Sequence, residues 1–312
     1  MKRRDLIQFS IAVAAGTVAP MVRASDAAGA MESAAAPVPD GHLTSPLAAP
    51  AGRDIRVAFL ISEGAEVVDF SGPWGVFEYT LLGDDNHNPF QLYTVSASKQ
   101  PVKVSGGLTV TPDYTFADAP TPDVIVVPAL DDEQLAPGAL EWLKAASPKT
   151  QLTMSVCNGS YVLAAAGLLD GRRATAHHGG YGMMYALYPK VVLLRGLRYV
   201  EDGKFATSGG LTSGVDLALR VVERYYGRDV AQRTARQLEY HGTGWMHPAS
   251  NGQFARVPVG TEERPICPVC EAQLVRAKAL TWVYHEKTWY FCGTWCRDTF
   301  MTTPERFISK FS

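Results

Sequence analysis

The sequence has no strong charge excess, no long hydrophobic run and no dinucleotide-binding motif. Its 29 Lys and Arg residues nearly balance its 31 Asp and Glu residues, for a net charge of −2, so it lacks the basic patch that a nucleic-acid partner requires. No apolar run approaches the roughly 20 residues that cross a bilayer, and no G-x-G-x-x-G follows a predicted strand. We therefore expect no nucleic-acid partner, no stable membrane anchor and no cofactor in the main domain.

Cysteine is also scarce, with five residues in 312, and it is unevenly placed. Cys267 and Cys270 form one close pair and Cys292 and Cys296 a second, while Cys157 stands alone. Two pairs with this spacing predict a tetrahedral four-thiolate site for one metal ion, which would order a very short module. Zinc is the expected ion, and copper(I) is the alternative for sulfur ligands. Two disulfides are the competing prediction, because oxidising compartments preserve them.

Cys157 lies between an apolar run, 152–156, that predicts a buried strand and a helix-forming stretch from 161 to 167. Small residues two positions before and after the thiol, Ser155 and Gly159, allow the tight turn that presents a nucleophile. The N–H groups of the following helix would face the sulfur and favour thiolate over thiol. We expect Cys157 to be a nucleophile, with a buried core thiol as the alternative.

Asp69 follows the first predicted strand, 55–61, and precedes a predicted helix with Pro73 in its first turn. Because parallel strands present their carboxyl ends at one sheet edge, Asp69 should lie near Cys157 and exchange a proton with the thiol or the substrate. The alternative is a helix-capping carboxylate. His177 is a further candidate, as a base or as a residue that orients the thiolate, with a structural role as its alternative.

Strand-forming and helix-forming segments alternate along the main domain. This alternation predicts an α/β fold with a mostly parallel sheet that is covered on both faces. The predicted strands are 55–61, 91–95, 123–128 and 152–156, and the predicted helices are 73–82, 138–146, 215–226 and 230–240.

Residues 1–24 predict a twin-arginine signal peptide. A paired arginine precedes a short apolar stretch, and a small-x-small cleavage site ends at Ala24. We therefore expect a periplasmic protein that is exported by the twin-arginine pathway. Residues 25–52 are rich in Ala, Pro and Gly and predict a disordered linker, and a second linker is expected over 244–264. The main domain then covers 53–243, and a small domain covers 265–312.

Five short motifs follow one another in the main domain. They are Asp69-Phe70-x-Gly72-Pro73, Cys157-x-Gly159, Ala166-Gly167-Leu168-Leu169-Asp170-Gly171-Arg172-Arg173-Ala174-Thr175-x-His177, Thr207-Ser208-Gly209-Gly210 and Asp216-Leu217-Ala218-Leu219. Together they resemble the ThiJ/PfpI superfamily over about residues 53 to 241. Within it, the chain is similar to the isonitrile hydratases and to the amidase-like sensor domains of AraC-type regulators. No helix-turn-helix segment is found, so the regulator interpretation lacks its output module.

The resemblance implies a flavodoxin-like sandwich, usually a homodimer, with the cysteine on a strained turn. Asp69 and Cys157 would form the catalytic pair: the thiolate attacks an isonitrile carbon, and water releases an N-substituted formamide. Backbone N–H groups of Asn158 and Gly159 would stabilise the developing charge. Asn158 stands where isonitrile hydratases commonly have threonine, and its amide donates a hydrogen bond but lacks an acidic hydroxyl. The substrate pocket would be lined by two glycines, Gly72 and Gly209.

A second set of residues marks the C-terminal segment. They are Tyr284-His285-Glu286-Lys287-Thr288-Trp289-Tyr290-Phe291-Cys292, Cys296, Phe300, Pro304, Glu305 and Phe307. This set resembles a YHS domain, related to the TRASH metal-binding modules, over almost all of 265–311. YHS modules often carry one cysteine in the first cluster, so the presence of both Cys267 and Cys270 favours a complete four-thiolate site. His285 is expected at a hairpin turn, with metal ligation as the alternative.

These observations predict three functions. The leading one is a periplasmic cysteine-dependent hydratase or hydrolase of a small electrophilic molecule, with a metal-binding module attached. The second is a protein that binds or senses metal without catalysis. The third is a stress-response thiol protein in which Cys157 senses oxidation.

Overall fold

The computed structural model describes residues 45–130 and 134–311. The predicted signal peptide lies outside these residues, as does most of the predicted linker over 25–52. The described end of that linker contacts the α/β domain, because the Leu47 N–H donates to the Arg224 carbonyl at 2.9 Å. Among the helices of the described ranges, none is long and apolar enough to cross a membrane.

The α/β domain alternates strands with helices, as the sequence predicts. Its strands are β1 (Ile55–Leu60), β2 (Phe90–Ser96), β3 (Val102–Lys103), β4 (Thr109–Val110), β5 (Tyr114–Thr115), β6 (Val124–Val127), β7 (Leu152–Ser155), β8 (Arg173–Ala174), β9 (Val192–Leu193), β10 (Tyr199–Asp202) and β11 (Phe205–Ser208). Its helices are α1 (Val67–Glu78), α2 (Ala139–Ala146), α3 (Gly159–Ala165), α4 (Tyr181–Leu187), α5 (Ser213–Tyr226) and α6 (Arg228–Gln237).

The main sheet confirms the predicted fold class. Its strand order is β10-β11-β7-β6-β1-β2-β5, and every neighbouring pair is parallel except β10 and β11. All residues of β6 and β7 are buried, because central strands of such a sheet are covered on both faces. The carboxyl ends of β1, β6, β7 and β11 lie at one edge of the sheet, where open α/β folds place their sites.

Helix α1 begins earlier than the sequence indicates. It starts at Val67, so Pro73 lies in its interior and not in its first turn as predicted. Proline is rare inside helices because it cannot donate a hydrogen bond to the carbonyl four residues earlier. In α1 that carbonyl belongs to Asp69, and the proline ring is buried in the domain. The earlier start places Asp69 in the first turn of the helix.

The predicted linker over 244–264 begins as a packed part of the α/β domain. Trp245 is buried; its N–H donates to the Asp216 carboxylate at 2.9 Å, and its carbonyl accepts from the Tyr199 hydroxyl at 2.7 Å. Most residues from 255 to 264 are exposed.

The C-terminal module, residues 265–311, is a hairpin followed by two short helices. Strands β12 (Leu280–Tyr284) and β13 (Lys287–Phe291) pair antiparallel, and α7 (Thr294–Thr302) and α8 (Pro304–Ile308) follow. His285 and Glu286 form the turn with positive φ, as a two-residue hairpin requires. The small core is mainly aromatic and contains Trp289, Phe291, Phe300 and Phe307.

Candidate active site and metal site

Cys157 lies on a sharp turn between β7 and α3. Its φ of 58° is in the left-handed region, which costs a residue with a Cβ about 1–2 kcal/mol. The Cys157 N–H donates to the Gly209 carbonyl at 2.9 Å, which ties the turn to the end of β11. At Gly159 a Cβ would lie 2.2 Å from the Val127 carbonyl oxygen, so only glycine lets α3 start this close to β6. The structure therefore has the strained turn that the sequence predicts.

Asp69 is fully buried in the first turn of α1. Its Oδ2 accepts the Ala129 N–H at 2.9 Å, while Oδ1 is buried without a hydrogen-bond partner in the described ranges. Burial raises the pKa of the Asp69 carboxyl to about 7; the Ala129 N–H opposes this shift, the charge of Glu66 adds to it, and the Cys157 thiol and the Leu211 N–H also oppose it. Near neutral pH, this carboxyl can therefore both accept and donate a proton.

The predicted preference of Cys157 for the thiolate form is wrong in this structure. Burial raises the pKa of the thiol to about 12, and the negative charge of Asp69 is the second-largest cause of this rise. The N–H groups of Asn158 and Leu211 lower it, but they do not compensate. The short helix α3 cannot outweigh lost solvation and a nearby carboxylate. The thiol is thus protonated at neutral pH, and attack requires a base.

Of the two backbone donors predicted near the sulfur, Asn158 is confirmed and Gly159 is not. The Gly159 N–H donates to the Val156 carbonyl at 2.8 Å, so it is not available to a substrate. The donors that act on the thiol are those of Asn158 and of Leu211. Leu211 has a φ of 47° and directly follows Gly209 and Gly210. The sequence analysis missed this residue, although the adjacent glycine pair marks the loop that carries it.

His177 lies beside this loop without a hydrogen bond to Cys157 or Asp69 among the described residues. Its Nδ1 accepts the Gly179 N–H at 3.2 Å, and its ring packs against Gly210, where a Cβ would lie 2.3 Å from the ring. Burial, with a smaller effect of His178, lowers its pKa. His177 is thus a neutral residue that shapes the loop in this structure.

The two glycines predicted to line the substrate pocket lie in different surroundings. Gly72 is in the middle of α1, where a Cβ would lie 3.0 Å from the Val215 side chain on α5. It therefore lies at a contact between two helices. Gly209 lies beside the Cys157 turn, because its carbonyl accepts a hydrogen bond from the Cys157 N–H.

The four C-terminal cysteines come together as predicted. Their sulfur atoms all lie within 4.8 Å of one another; the Sγ atoms of Cys270 and Cys292 are 3.5 Å apart, and those of Cys292 and Cys296 are 3.3 Å apart. A disulfide bond measures about 2.05 Å, and all four thiols are free. Tetrahedral zinc with Zn–S bonds of about 2.3 Å separates sulfurs by roughly 3.8 Å. This cluster could hold a metal ion.

Two local structures build this cluster. The Cys267–Cys270 loop is closed by the Cys267 N–H, which donates to the Ala272 carbonyl at 2.9 Å, and by the Glu271 N–H, which donates to the Cys267 carbonyl at the same distance. Cys296 lies in the first turn of α7, and its hydrogen bonds with the other three thiols raise its pKa. Hydrogen bonds from the other three thiols lower the pKa of Cys267.

His285 is not part of the cluster. Its ring lies at the hairpin turn, 3.3 Å from the Glu305 carboxylate.

Helix α4 connects the His178–Gly180 turn with the C-terminal module. It begins directly after that turn, and at Gly182 a Cβ would lie 2.5 Å from the Cys270 backbone. The Arg195 guanidinium binds both oxygens of Glu271, at 2.9 and 3.1 Å. The module therefore packs against the helix that follows the His178–Gly180 turn.

An open, mostly parallel sheet with a cysteine on a left-handed turn beside a buried carboxylate defines an α/β protein that carries a thiol between a central strand and a helix. The family model of the DJ-1/PfpI family matches residues 55–224, which is more than half of the chain, and the chain belongs to this family. The match ends before the C-terminal module, so the YHS resemblance there stays a prediction.

Individual relatives include an enzyme and a regulator. The chain is 35% identical over 193 residues to an isonitrile hydratase from Pseudomonas putida, an alignment that covers 60% of this chain and 78% of that protein. It is 29% identical over 153 residues to the HTH-type transcriptional regulator GbdR from Pseudomonas aeruginosa (strain UCBPP-PA14), covering 48% of this chain but only 41% of the regulator. A solved ThiJ/PfpI family protein from Pseudomonas syringae matches with a TM-score of 0.54 and 26% identity over 61% of this chain and 76% of its own.

Proposed function

We propose that this protein is a cysteine-dependent hydratase of a small electrophilic substrate of the isonitrile class. Cys157 would be the nucleophile and Asp69 the proton carrier. The observation that carries the proposal is the buried Asp69 carboxyl, with a pKa of about 7, beside a thiol that keeps its proton. The similarity to an isonitrile hydratase supports the same chemistry.

In the first step, the Cys157 sulfur forms a bond to the terminal carbon of the isonitrile. The Asp69 carboxylate accepts the thiol proton as this bond forms and then donates it to the same carbon. The product is a thioimidate on Cys157, with no net change in charge. The N–H groups of Asn158 and Leu211 stabilise the negative charge that develops on the sulfur as its proton passes to Asp69.

In the second step, water adds to the thioimidate carbon. Asp69 accepts a proton from the water and passes it to the substrate nitrogen. The new hydroxyl then loses its proton through Asp69, a carbonyl forms, the C–S bond breaks and the sulfur regains that proton. One water molecule has been added, and an N-substituted formamide leaves.

We further propose that the four-cysteine cluster holds one zinc ion, with copper(I) as the alternative. Zinc would connect the Cys267–Cys270 loop to the start of α7 and so contribute to the folding free energy of the module. Export by the twin-arginine pathway, a periplasmic location and a homodimer complete the proposal, and these rest on the sequence.

The test is turnover of a simple alkyl isonitrile, followed by the formyl proton of the product in NMR spectra. The wild type should form the formamide, and Cys157→Ala should lose at least about a thousandfold in rate, as nucleophile variants do. Asp69→Asn should show a similar loss, and wild-type kcat/KM should rise with pH through about 7 as the carboxyl ionises. Cys157→Ala with undiminished activity would refute the proposal.

A protein that binds or senses metal without catalysis is the second candidate. It is favoured by the low exposure of Cys157 and by its raised pKa. The raised pKa also argues against an oxidation sensor, because oxidants attack the thiolate. Tight zinc binding with no turnover of any isonitrile would support this candidate.

A further inference from the structure

A cavity of about 820 Å³ lies where the α/β domain, the 255–264 segment and the C-terminal module meet. The α/β domain contributes Tyr185 and Arg195, and the module contributes residues of β13 and the chain's last turn. This volume is within the range of sites that bind small molecules. It is separate from the Cys157 turn, since no residue of that turn lines it.

The charged side chains that line this cavity are all positive. Its lining includes four cations, Arg195, Arg256, Lys287 and Lys310, and no Asp or Glu among the described residues. Glu271, behind the wall, is shared by two of these cations: it lies 2.9 Å from Arg195 and 3.0 Å from Lys310. One carboxylate against four cations leaves an excess of three positive charges. Such an excess in a concave site attracts an anion.

Flat aromatic surfaces form another part of the wall. Trp289, Tyr290 and Phe311 line the cavity; Trp289 is 8% exposed and belongs to the module core, whereas Phe311 is 41% exposed. The Lys287 ammonium lies 4.2 Å from the centre of that ring. A ligand in the cavity could therefore place a charged group near Lys287 and Arg256 and an apolar body against the aromatic rings.

We infer that this cavity binds a small organic anion with a flat apolar body, such as an aromatic carboxylate. The cations hold the carboxylate, and the aromatic residues hold the ring. The ligand contacts both the α/β domain and the module. This binding site is independent of the reaction at Cys157.

The test uses the full-length protein and two probes of nearly equal shape, 2-naphthoate and the neutral 2-naphthamide. Binding is followed by the indole ¹H–¹⁵N resonance of Trp289, assigned from its loss in Trp289→Phe. The Trp289 Nε1 itself is buried, but the residue lines the cavity, so its resonance should shift through the ring current of a naphthyl group placed beside it. The inference expects a saturable shift with 2-naphthoate and at least about tenfold weaker binding of 2-naphthamide.

The variant Arg256→Gln with Lys287→Gln should weaken 2-naphthoate binding by at least about tenfold. The matched control is Lys144→Gln with Arg233→Gln, which removes two exposed cations from α2 and α6, and it should bind as the wild type does. Equal binding of the two probes, equal binding by the two double variants, or no shift with 2-naphthoate would overturn the inference.

Discussion

Two regions of the molecule bury thiols in different surroundings. Cys157 is 7% exposed and Cys267 is fully buried, so lost solvation disfavours the thiolate at both. At Cys157 the nearby carboxylate of Asp69 adds to that effect, and the pKa rises to about 12. At Cys267 three neighbouring thiols donate hydrogen bonds and the pKa falls, while the pKa values of its partners Cys270 and Cys296 rise. The neighbours of a buried thiol, more than its burial, decide whether it keeps its proton.

This difference separates two kinds of chemistry. The gathered thiols can release their protons to a metal ion, which then replaces their mutual hydrogen bonds. The lone thiol of Cys157 needs a proton acceptor at the moment of attack, and Asp69 is the group in place. The same carboxylate that suppresses the resting thiolate therefore enables the reaction.

Metal removal should have the largest effect, and it should act on the four-thiol region alone. Chelation, or Cys292→Ser, should unfold the chain from about residue 265 onward, because structural zinc contributes about 10–16 kcal/mol in small modules. Hydrogen exchange should show lost protection there while β6 and β7 keep theirs. Elemental analysis should find one metal ion per chain, and Cys157→Ser should retain it. A module that stays protected without metal, with cysteines that resist alkylation until reduced, would establish disulfides instead.

The lone-thiol region should show a pH-dependent penalty from Asp69. Its pKa of about 7 when folded, against 3.8 ordinarily, means that the folded chain keeps a proton that the unfolded chain loses. Stability should fall as the pH rises from about 4 to 7, by up to about 4 kcal/mol, and then level off. Urea unfolding should show that the stability of Asp69→Asn increases relative to that of the wild type as the pH rises from about 4 to 7. A difference that does not change with pH would contradict the raised pKa.

The contact between the regions should be sensitive to Gly182. Gly182→Ala places a Cβ 2.5 Å from the Cys270 backbone, so it should displace the module and cost about 1–3 kcal/mol. Gly75→Ala in α1 is the control, because its Cβ would meet nothing within 4 Å; it should stabilise slightly. Thermal unfolding and hydrogen exchange of α4 measure both. Equal behaviour of the two variants would mean that the module does not press on α4.

The smallest effect concerns backbone strain at Cys157. Because its φ is 58°, Cys157→Gly should be about 1 kcal/mol more stable than Cys157→Ala. At exposed Ala145 in α2, glycine should instead cost about 1 kcal/mol. Urea unfolding of these variants gives the comparison. A glycine penalty at both positions would show that the turn is relaxed in solution.

The sequence predicts the fold class and four of the seven strands of the main sheet, β1, β2, β6 and β7, because these strands carry unambiguous apolar patterns; the short strand β5 and the hairpin of β10 and β11 were not predicted. The apolar run over 124–127 is β6, and the small residues around Cys157 are the turn. The cysteine spacing likewise predicts the four-sulfur cluster, since both pairs lie within short local structures. Each of these features depends on residues close together in the chain.

The remaining features depend on distant contacts. The raised pKa of Cys157 comes from burial and from a carboxylate 88 positions earlier, which no local pattern shows. The start of α1 was misplaced because Pro73 is a helix-start signal when its packing is unknown. Leu211 was missed because its role lies in a backbone N–H, and side-chain patterns carry no sign of it.

The most direct test of the central claim is the alkylation rate of Cys157 against pH, in the zinc-loaded wild type and in Asp69→Asn, with turnover measured on the same samples. We expect slow wild-type alkylation at neutral pH, with a rate that rises only in strongly alkaline solution. In Asp69→Asn we expect faster alkylation, because the repelling charge is gone, together with lost turnover, because the base is gone. Rapid alkylation of the wild type at mildly acidic pH, unchanged in Asp69→Asn, would show that Asp69 does not control the protonation of this thiol.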